Sequence, residues 1–269
     1  WYTATEGVDY VLHVASPFPT TLPKRDDEIV GPAVNGTLNV LRAAARNGVK
    51  RVVLTSSTGA AMYGNRRAGT FTEADWTNVD NLKDTSPYFR SKTLAERAAW
   101  EFIEADDSGL ELTTVLPGAV LGPLLEDDPG TSAAIVLKLL DGSVPALPSI
   151  GYAMVDVRSI ADLHLRAMTA PAAAGQRYLG AGEFYTFKDV ADVLRKRYPS
   201  RKFPSVTLPN FAVRLFRYVD PTVGPTLVDL GSRREADVRK AKAELGWEPI
   251  PVDQSIRDCA DSILTLNLV

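Results

Sequence analysis

Arg51-Val-Val-Leu-Thr-Ser-Ser57 is a short apolar run, β-branched at Val52 and Val53, that ends in three hydroxyl residues. It reads as a buried strand opening into a loop, being too short and too β-branched for a helix. Upstream, Val8-Asp-Tyr-Val-Leu-His-Val-Ala15, closed by Ser16-Pro17, reads the same way. Between the two, Val30, Val34, Leu38, Leu41 and Ala45 recur at helical spacing from about Asp26, with Pro32 in the first turn and Asn47-Gly48 as the stop. Downstream, a helix is expected after Ser86-Pro87 to about Asp106, and Leu112-Thr-Thr-Val-Leu116 follows as another strand. This alternation predicts an α/β fold with a parallel sheet covered on both faces.

Beyond Pro117 the rhythm breaks. Loops rich in Pro and Gly alternate with short helical patterns at Ala133–Leu140, Ser159–Met168 and Phe187–Tyr198, which suggests a smaller lobe woven into the back half. There is no internal repeat and no low-complexity tract. The 269 residues are 45% hydrophobic and 23% charged, with a net charge of -3. Without a basic run, nucleic acid and acidic lipid are not expected as partners. No apolar stretch nears the length of a membrane span. One cysteine, Cys259, leaves no room for an internal disulfide and suits a reducing cytoplasm, so it is read as packing on the last helix. Two histidines and that cysteine, far apart in sequence, give no zinc site.

The chemistry is concentrated in Tyr88-Phe-Arg-Ser-Lys92, which puts a phenol and an ammonium four residues apart on one helix face. A neighbouring cation favours phenolate, so the spacing suggests a Tyr88 pKa lowered toward neutrality. A serine at the end of the strand Arg51–Leu54 is placed to hydrogen-bond the oxygen that Tyr88 protonates.

With Thr55-Ser56-Ser57 before it and Ser91-Lys92-Thr-Leu-Ala-Glu96 overlapping it, this region resembles the extended short-chain dehydrogenase/reductase family. Within that family it is most similar to the dihydroflavonol reductase, cinnamoyl-CoA reductase and aldehyde reductase branch. Four further segments carry the resemblance: Val11-Leu-His-Val-Ala-Ser-Pro17, Leu116-Pro-Gly-Ala-Val-Leu-Gly-Pro123, Val155-Asp-Val-Arg158 with Asp162-Leu-His164, and Lys240-Ala-Lys-Ala-Glu-Leu-Gly-Trp247. The fold it implies is a doubly wound, Rossmann-type parallel sheet with a small mixed α/β substrate lobe. Residues 1–125, with 150–180 returning, would form the nucleotide domain; 126–150 and 181–269 would form the lobe. By the same alignment the strand Val8–Ala15 matches the family's fourth. No Gly-x-x-Gly-x-x-Gly occurs in the sequence. The chain is therefore expected to be N-terminally truncated, with a bare apolar edge at that strand.

The resemblance implies NADP(H) rather than NAD(H), and a carbonyl reductase in which Ser57, Tyr88 and Lys92 are catalytic. Tyr88 would give the proton, Lys92 would hold the tyrosine and the nicotinamide ribose, and Ser57 rather than Ser56 would polarise the carbonyl. Val14, Ala15, Ser16, Thr55, Pro117, Gly118, Ala119 and Val120 would line the cofactor cleft together with Tyr88 and Lys92. Pro17, Phe18, Met62, Tyr63, Leu121, Tyr152 and Met154 flank the centre in sequence and, with Ser57 and Tyr88, are candidates to meet a hydrophobic aldehyde, ketone or flavonoid-like substrate. A homodimer through the helices starting near Asp26 and Pro87 would be usual for the family. Two alternatives stand: a sugar-nucleotide epimerase or dehydratase of the same fold, disfavoured by Glu126, Asp127 and Asp128 in a loop where a diphosphate would need cations, and a truncated, non-catalytic cofactor-sensing protein.

Other polar residues read as structural. Asp156 and Arg158 suggest a buried brace between the lobes, with Asp162 in a first helical turn. Glu73, Asp75 and Trp76 belong to the loop before the catalytic helix. His13 reads as packing, Asn35 either braces the strand bearing Ser57 or bonds locally, and Trp247 reads as an aromatic anchor.

Overall fold

The computed structural model describes residues 1–18, 25–65, 67–216, 218 and 226–269. The first half runs β1 (Tyr10–His13), α1 (Asp27–Arg46), β2 (Arg51–Thr55), β3 (Gly69–Phe71), α2 (Pro87–Glu104) and β4 (Glu111–Pro117). There follow β5 (Ala119–Leu121), α3 (Gly130–Leu140), β6 (Gly151–Asp156), α4 (Val157–Thr169), β7 (Gln176–Gly180), β8 (Phe184–Thr186) and α5 (Phe187–Arg197). The chain ends with α6 (Asn210–Phe216), β9 (Arg234–Ala236), α7 (Arg239–Leu245) and α8 (Val252–Thr265).

Two compact units divide it. One comprises Trp1–Pro117, Ala161–Gly180 and Ala236–Glu248; the other comprises Gly118–Ile160, Ala181–Glu235 and Pro249–Val269.

The first unit holds a four-stranded sheet in the order β1-β2-β4-β7, with every neighbouring pair parallel. Strand β2 shows how both faces come to be covered. Val52 and Leu54 pack with Leu41, Ala44, Ala99 and Leu112, from α1, α2 and β4. Arg51 and Thr55, one residue out of phase, face the other way. There Arg51 donates to the carbonyls of Ala167, Met168 and Ala170 at 2.7–3.1 Å, holding the last turn of α4.

Helix α2 starts where its sequence says it should. Ser86 accepts the Phe89 N–H at 3.2 Å as N-cap, and Pro87 takes the first helical position. Helix α1 stops at Asn47, followed by Gly48 in the left-handed region at φ 69°. Pro32 lies inside α1, deeper than the first turn, where it brings no N–H to the helix. Strand β1 is an edge of this sheet, with Leu12 40% exposed and Val14 beyond it 60% exposed.

In the second unit β5 pairs parallel with β6, and β6 pairs antiparallel with β8. Its core gathers Val136, Leu139, Met154, Val190, Leu194 and Ile256, and Cys259 is buried there, its thiol pushed up to about 11 by burial. The two units part from the expected division in three segments. Residues 118–125 and 150–160 lie in this unit, where β6 pairs with both β5 and β8. Residues 236–248 lie in the first because α7 packs beside β7, where the Tyr178 hydroxyl donates to Glu244 at 2.7 Å; Trp247 at its end is fully buried. Arg158 pairs with Asp156 and Asp258, all three inside the second unit, so this brace does not span the two units as expected.

Candidate active site

Helix α2 carries Tyr88, Lys92 and Glu96 at successive four-residue steps, along one face. The end of β2 delivers Thr55, Ser56 and Ser57 to that face. Lys92 Nζ donates to the Thr55 carbonyl at 3.0 Å. Ser57 caps the short 3-10 turn Thr58–Ala60, its Oγ accepting the Gly59 N–H at 3.0 Å. The Ser57 hydroxyl stands beside the Tyr88 hydroxyl and acts on it in the sense that favours phenolate. The neighbouring Ser56 turns away and donates to Glu96 Oε2 at 2.6 Å. The turn can lie this close to α2 because residue 59 is glycine: a Cβ there would stand 2.4 Å from the Phe89 ring.

Burial pushes the Tyr88 hydroxyl up to about 12, opposed only by the Ser57 hydroxyl. This overturns the expected lowering by Lys92. The four-residue spacing is present, but loss of water outweighs it, and the ammonium is directed at the Thr55 backbone. The phenol is therefore protonated at neutral pH, the form a proton donor needs. Burial pushes Lys92 down to about 8, with Glu96 acting in the opposite sense. His13, 7% exposed, is held below its ordinary value by burial and by Lys92, and so is neutral at pH 7.

A small cavity beside Lys92 is lined by Ala15, Ser16, Thr55, Ser56 and Glu96. Val14 is exposed just before it. Phe18 is half exposed and stands edge-on to Tyr88, ring centroids 4.6 Å apart at 74°. Pro117 ends β4 in the first unit, while Gly118, Ala119 and Val120 are partly buried in the second. Pro17 is partly buried. Met62, Tyr63, Leu121 and Met154 are packed into interiors at 5% exposure or less. In the second unit, burial, with Asp229 beside it, pushes the Tyr152 hydroxyl well above its ordinary value. Asn35 is exposed on α1, which leaves no brace to β2; the buried polar residue of that helix is Thr37, on the cavity.

Three residues at this centre carry roles that sequence reading did not give them. Glu96 accepts bonds from Ser56, Thr114 and Arg177. Its signal was its place four residues after Lys92. Arg177 in β7 also donates to the Asp75 carbonyl at 2.9 Å and lies over the Trp76 ring at 3.7 Å. His164 Nε2 lies 2.7 Å from the Thr55 hydroxyl. Neither Arg177 nor His164 is near the centre in sequence. Among the described residues no cluster of His, Cys, Asp and Glu is placed to hold a metal ion, and no helix is long and apolar enough to cross a membrane.

Residues 2–179 match the model of the NAD dependent epimerase/dehydratase family. The chain belongs to that family. Cinnamoyl-CoA reductase 1 of Petunia hybrida is 38% identical over 260 residues, covering 93% of this chain and 75% of that protein. Dihydroflavonol 4-reductase of Zea mays is 32% identical over 216 residues, covering 77% and 60%. The chain spans 62% of a Medicago truncatula cinnamoyl-CoA reductase at 35% identity. Among solved members, yeast methylglyoxal/isovaleraldehyde reductase Gre2 complexed with NADPH superposes with a TM-score of 0.78 at 28% identity, covering 99% of this chain and 79% of that one.

Proposed function

We propose that the protein is an oxidoreductase that reduces hydrophobic aldehydes or ketones, flavonoid-like ones included, with NADPH. The observation that carries this reading is the meeting of the Ser57 and Tyr88 hydroxyls, with Lys92 one turn along the same helix and tied to the Thr55 carbonyl. The choice of NADPH leans on relatives such as Gre2, solved with that cofactor. The small cavity beside Lys92 is walled by Leu54 and by small or hydroxyl-bearing residues, with one cation, and its carboxylate, Glu96, is paired with Arg177. Ala15, Ser16, Thr55 and Lys92 would hold the cofactor. The bound nicotinamide would supply hydride.

The remaining chemistry belongs to the chain. Ser57 orients the carbonyl oxygen by hydrogen bonding. Tyr88 passes its hydroxyl proton to that oxygen, and the Lys92 ammonium favours the phenolate left behind. Phe18 offers an apolar ring next to the proton donor, which suits a hydrophobic substrate better than a nucleotide sugar.

The test uses the protein as its gene encodes it, followed by NADPH oxidation in the presence of an aromatic aldehyde. Turnover should fall about 100-fold or more in Tyr88→Phe, with an unchanged melting temperature. NADPH binding without turnover of any carbonyl would instead support a sensing role, and a Tyr88→Phe rate within about threefold of the parent would remove Tyr88 as the acid.

A further inference from the structure

Glu96 is fully buried, yet four side chains from four different places point donors at its carboxylate. Ser56 Oγ, past the end of β2, donates at 2.6 Å. Thr114 Oγ1 of β4 donates at 2.7 Å, Arg177 Nε of β7 at 2.8 Å, and Trp100 Nε1, one turn on in α2, at 3.4 Å. Arg177 is in turn fixed by the carbonyls of Glu73 and Asp75 and by the Trp76 ring. A buried carboxylate with this many donors is rigid. It lines the cavity beside Lys92, and one of its donors is the serine adjoining Ser57 in the chain.

We propose that Glu96 is a positioning residue for the Ser57–Tyr88–Lys92 centre, locking the end of β2 through Ser56 and serving as the fixed counter-charge of Lys92. This rests on the reductase reading given above. Fixing Ser56 fixes the backbone on either side of it. The Thr55 carbonyl is where Lys92 donates, and Ser57 is the hydroxyl that stands beside Tyr88. The titratable groups facing Lys92 are Glu96 from its own helix, which is charged, and His13 from β1, which is neutral at pH 7. Arg177 faces Glu96 from β7. Removing the carboxylate charge therefore leaves Lys92 with burial alone, and its ammonium should lose its proton at lower pH.

The experiment compares Glu96→Gln, Glu96→Asp and Ser56→Ala with the parent. The titration of the Lys92 side chain is followed by NMR in the uncomplexed protein, alongside kcat and KM for aldehyde reduction. In Glu96→Gln the Lys92 titration should move to lower pH, and kcat should fall about tenfold or more while KM stays within about threefold. Glu96→Asp should restore part of both. Ser56→Ala keeps the charge, so it should lower kcat severalfold and leave the Lys92 titration in place. If Glu96→Gln merely melts earlier, with Lys92 and kcat unmoved, the residue is only part of the core and the proposal is wrong. If Glu96→Gln does not fold, an unchanged kcat in Ser56→Ala overturns the proposal equally. NADPH binding by the parent without turnover of any carbonyl would sink the reductase reading instead, and the Lys92 titration would still decide the role of Glu96 as its counter-charge.

Discussion

Lys92 donates to the Thr55 carbonyl at 3.0 Å, so the residue that supports Tyr88 also ties helix α2 to the end of strand β2. Its charge has a kinetic consequence. Burial sets Lys92 at about 8 and Tyr88 at about 12. As pH rises through about 8 the ammonium is lost while the phenol still carries its proton. The kcat/KM for aldehyde reduction, which reports free-enzyme groups, should therefore fall above about pH 8. A profile flat from pH 7 to 10 would remove Lys92 from the reaction.

The same depressed group makes a stability prediction of defined sign. Lys92 ionises at about 8 in the folded protein against 10.5 ordinarily. Between those values the unfolded chain holds more protons, so this residue makes the protein more stable as pH rises from about 8 to about 10.5. Over that window the gain is about 3 kcal/mol, an upper figure from the full shift. Below pH 8 both states are protonated and the contribution is flat. Urea midpoints measured at pH 7.5 and pH 10 should differ less in Lys92→Met than in the parent.

The parallel sheet was legible because β2 and β4 are fully buried strands whose apolar runs leave one reading, and because Ser86-Pro87 and Asn47-Gly48 punctuate the helices. The small mixed sheet was not. Strands β5 and β8 are three residues each, too short for periodicity to speak, and β6 was visible only as the segment before Asp156. Ser57, Tyr88 and Lys92 stood out by motif, and the structure gathers them around α2 and the end of β2. The sign of the Tyr88 shift did not follow from spacing, because desolvation depends on what covers the ring. Arg177 and His164 lie 81 residues beyond Glu96 and 109 beyond Thr55 respectively, separations that only the fold closes.

Phe18 should act on substrate rather than on the fold. Its ring is 51% exposed and touches the site through its edge-on contact with Tyr88. Phe18→Ala should raise KM for aromatic aldehydes by about tenfold, a typical worth for apolar contact in a pocket, while small aliphatic aldehydes are affected less. An equal loss for both classes, or a lowered melting temperature, would mean that the ring supports Tyr88 instead of the substrate.

Arg51 makes the opposite case, a buried charge with no part in the chemistry. It sits at the start of β2, with Ser57 beyond the strand's other end. Its Nη1 donates to the carbonyls of Ala167, Met168 and Ala170, and Nε donates to Glu111 at 2.8 Å. Those carbonyls lie in and just beyond the last turn of α4, where helical donors run out. Glu111 is substantially exposed, so the ion pair itself adds little. The cost of Arg51→Met comes from the three carbonyls, at about 1 kcal/mol each, or about 3 kcal/mol in all. The urea midpoint should drop accordingly with an unchanged slope, and kcat per folded molecule should match the parent. Arg51→Lys should recover only part, because one ammonium cannot reproduce the planar fork. A loss below about 1 kcal/mol in Arg51→Met would mean that these carbonyls find water, and that α4 is held by its apolar face alone.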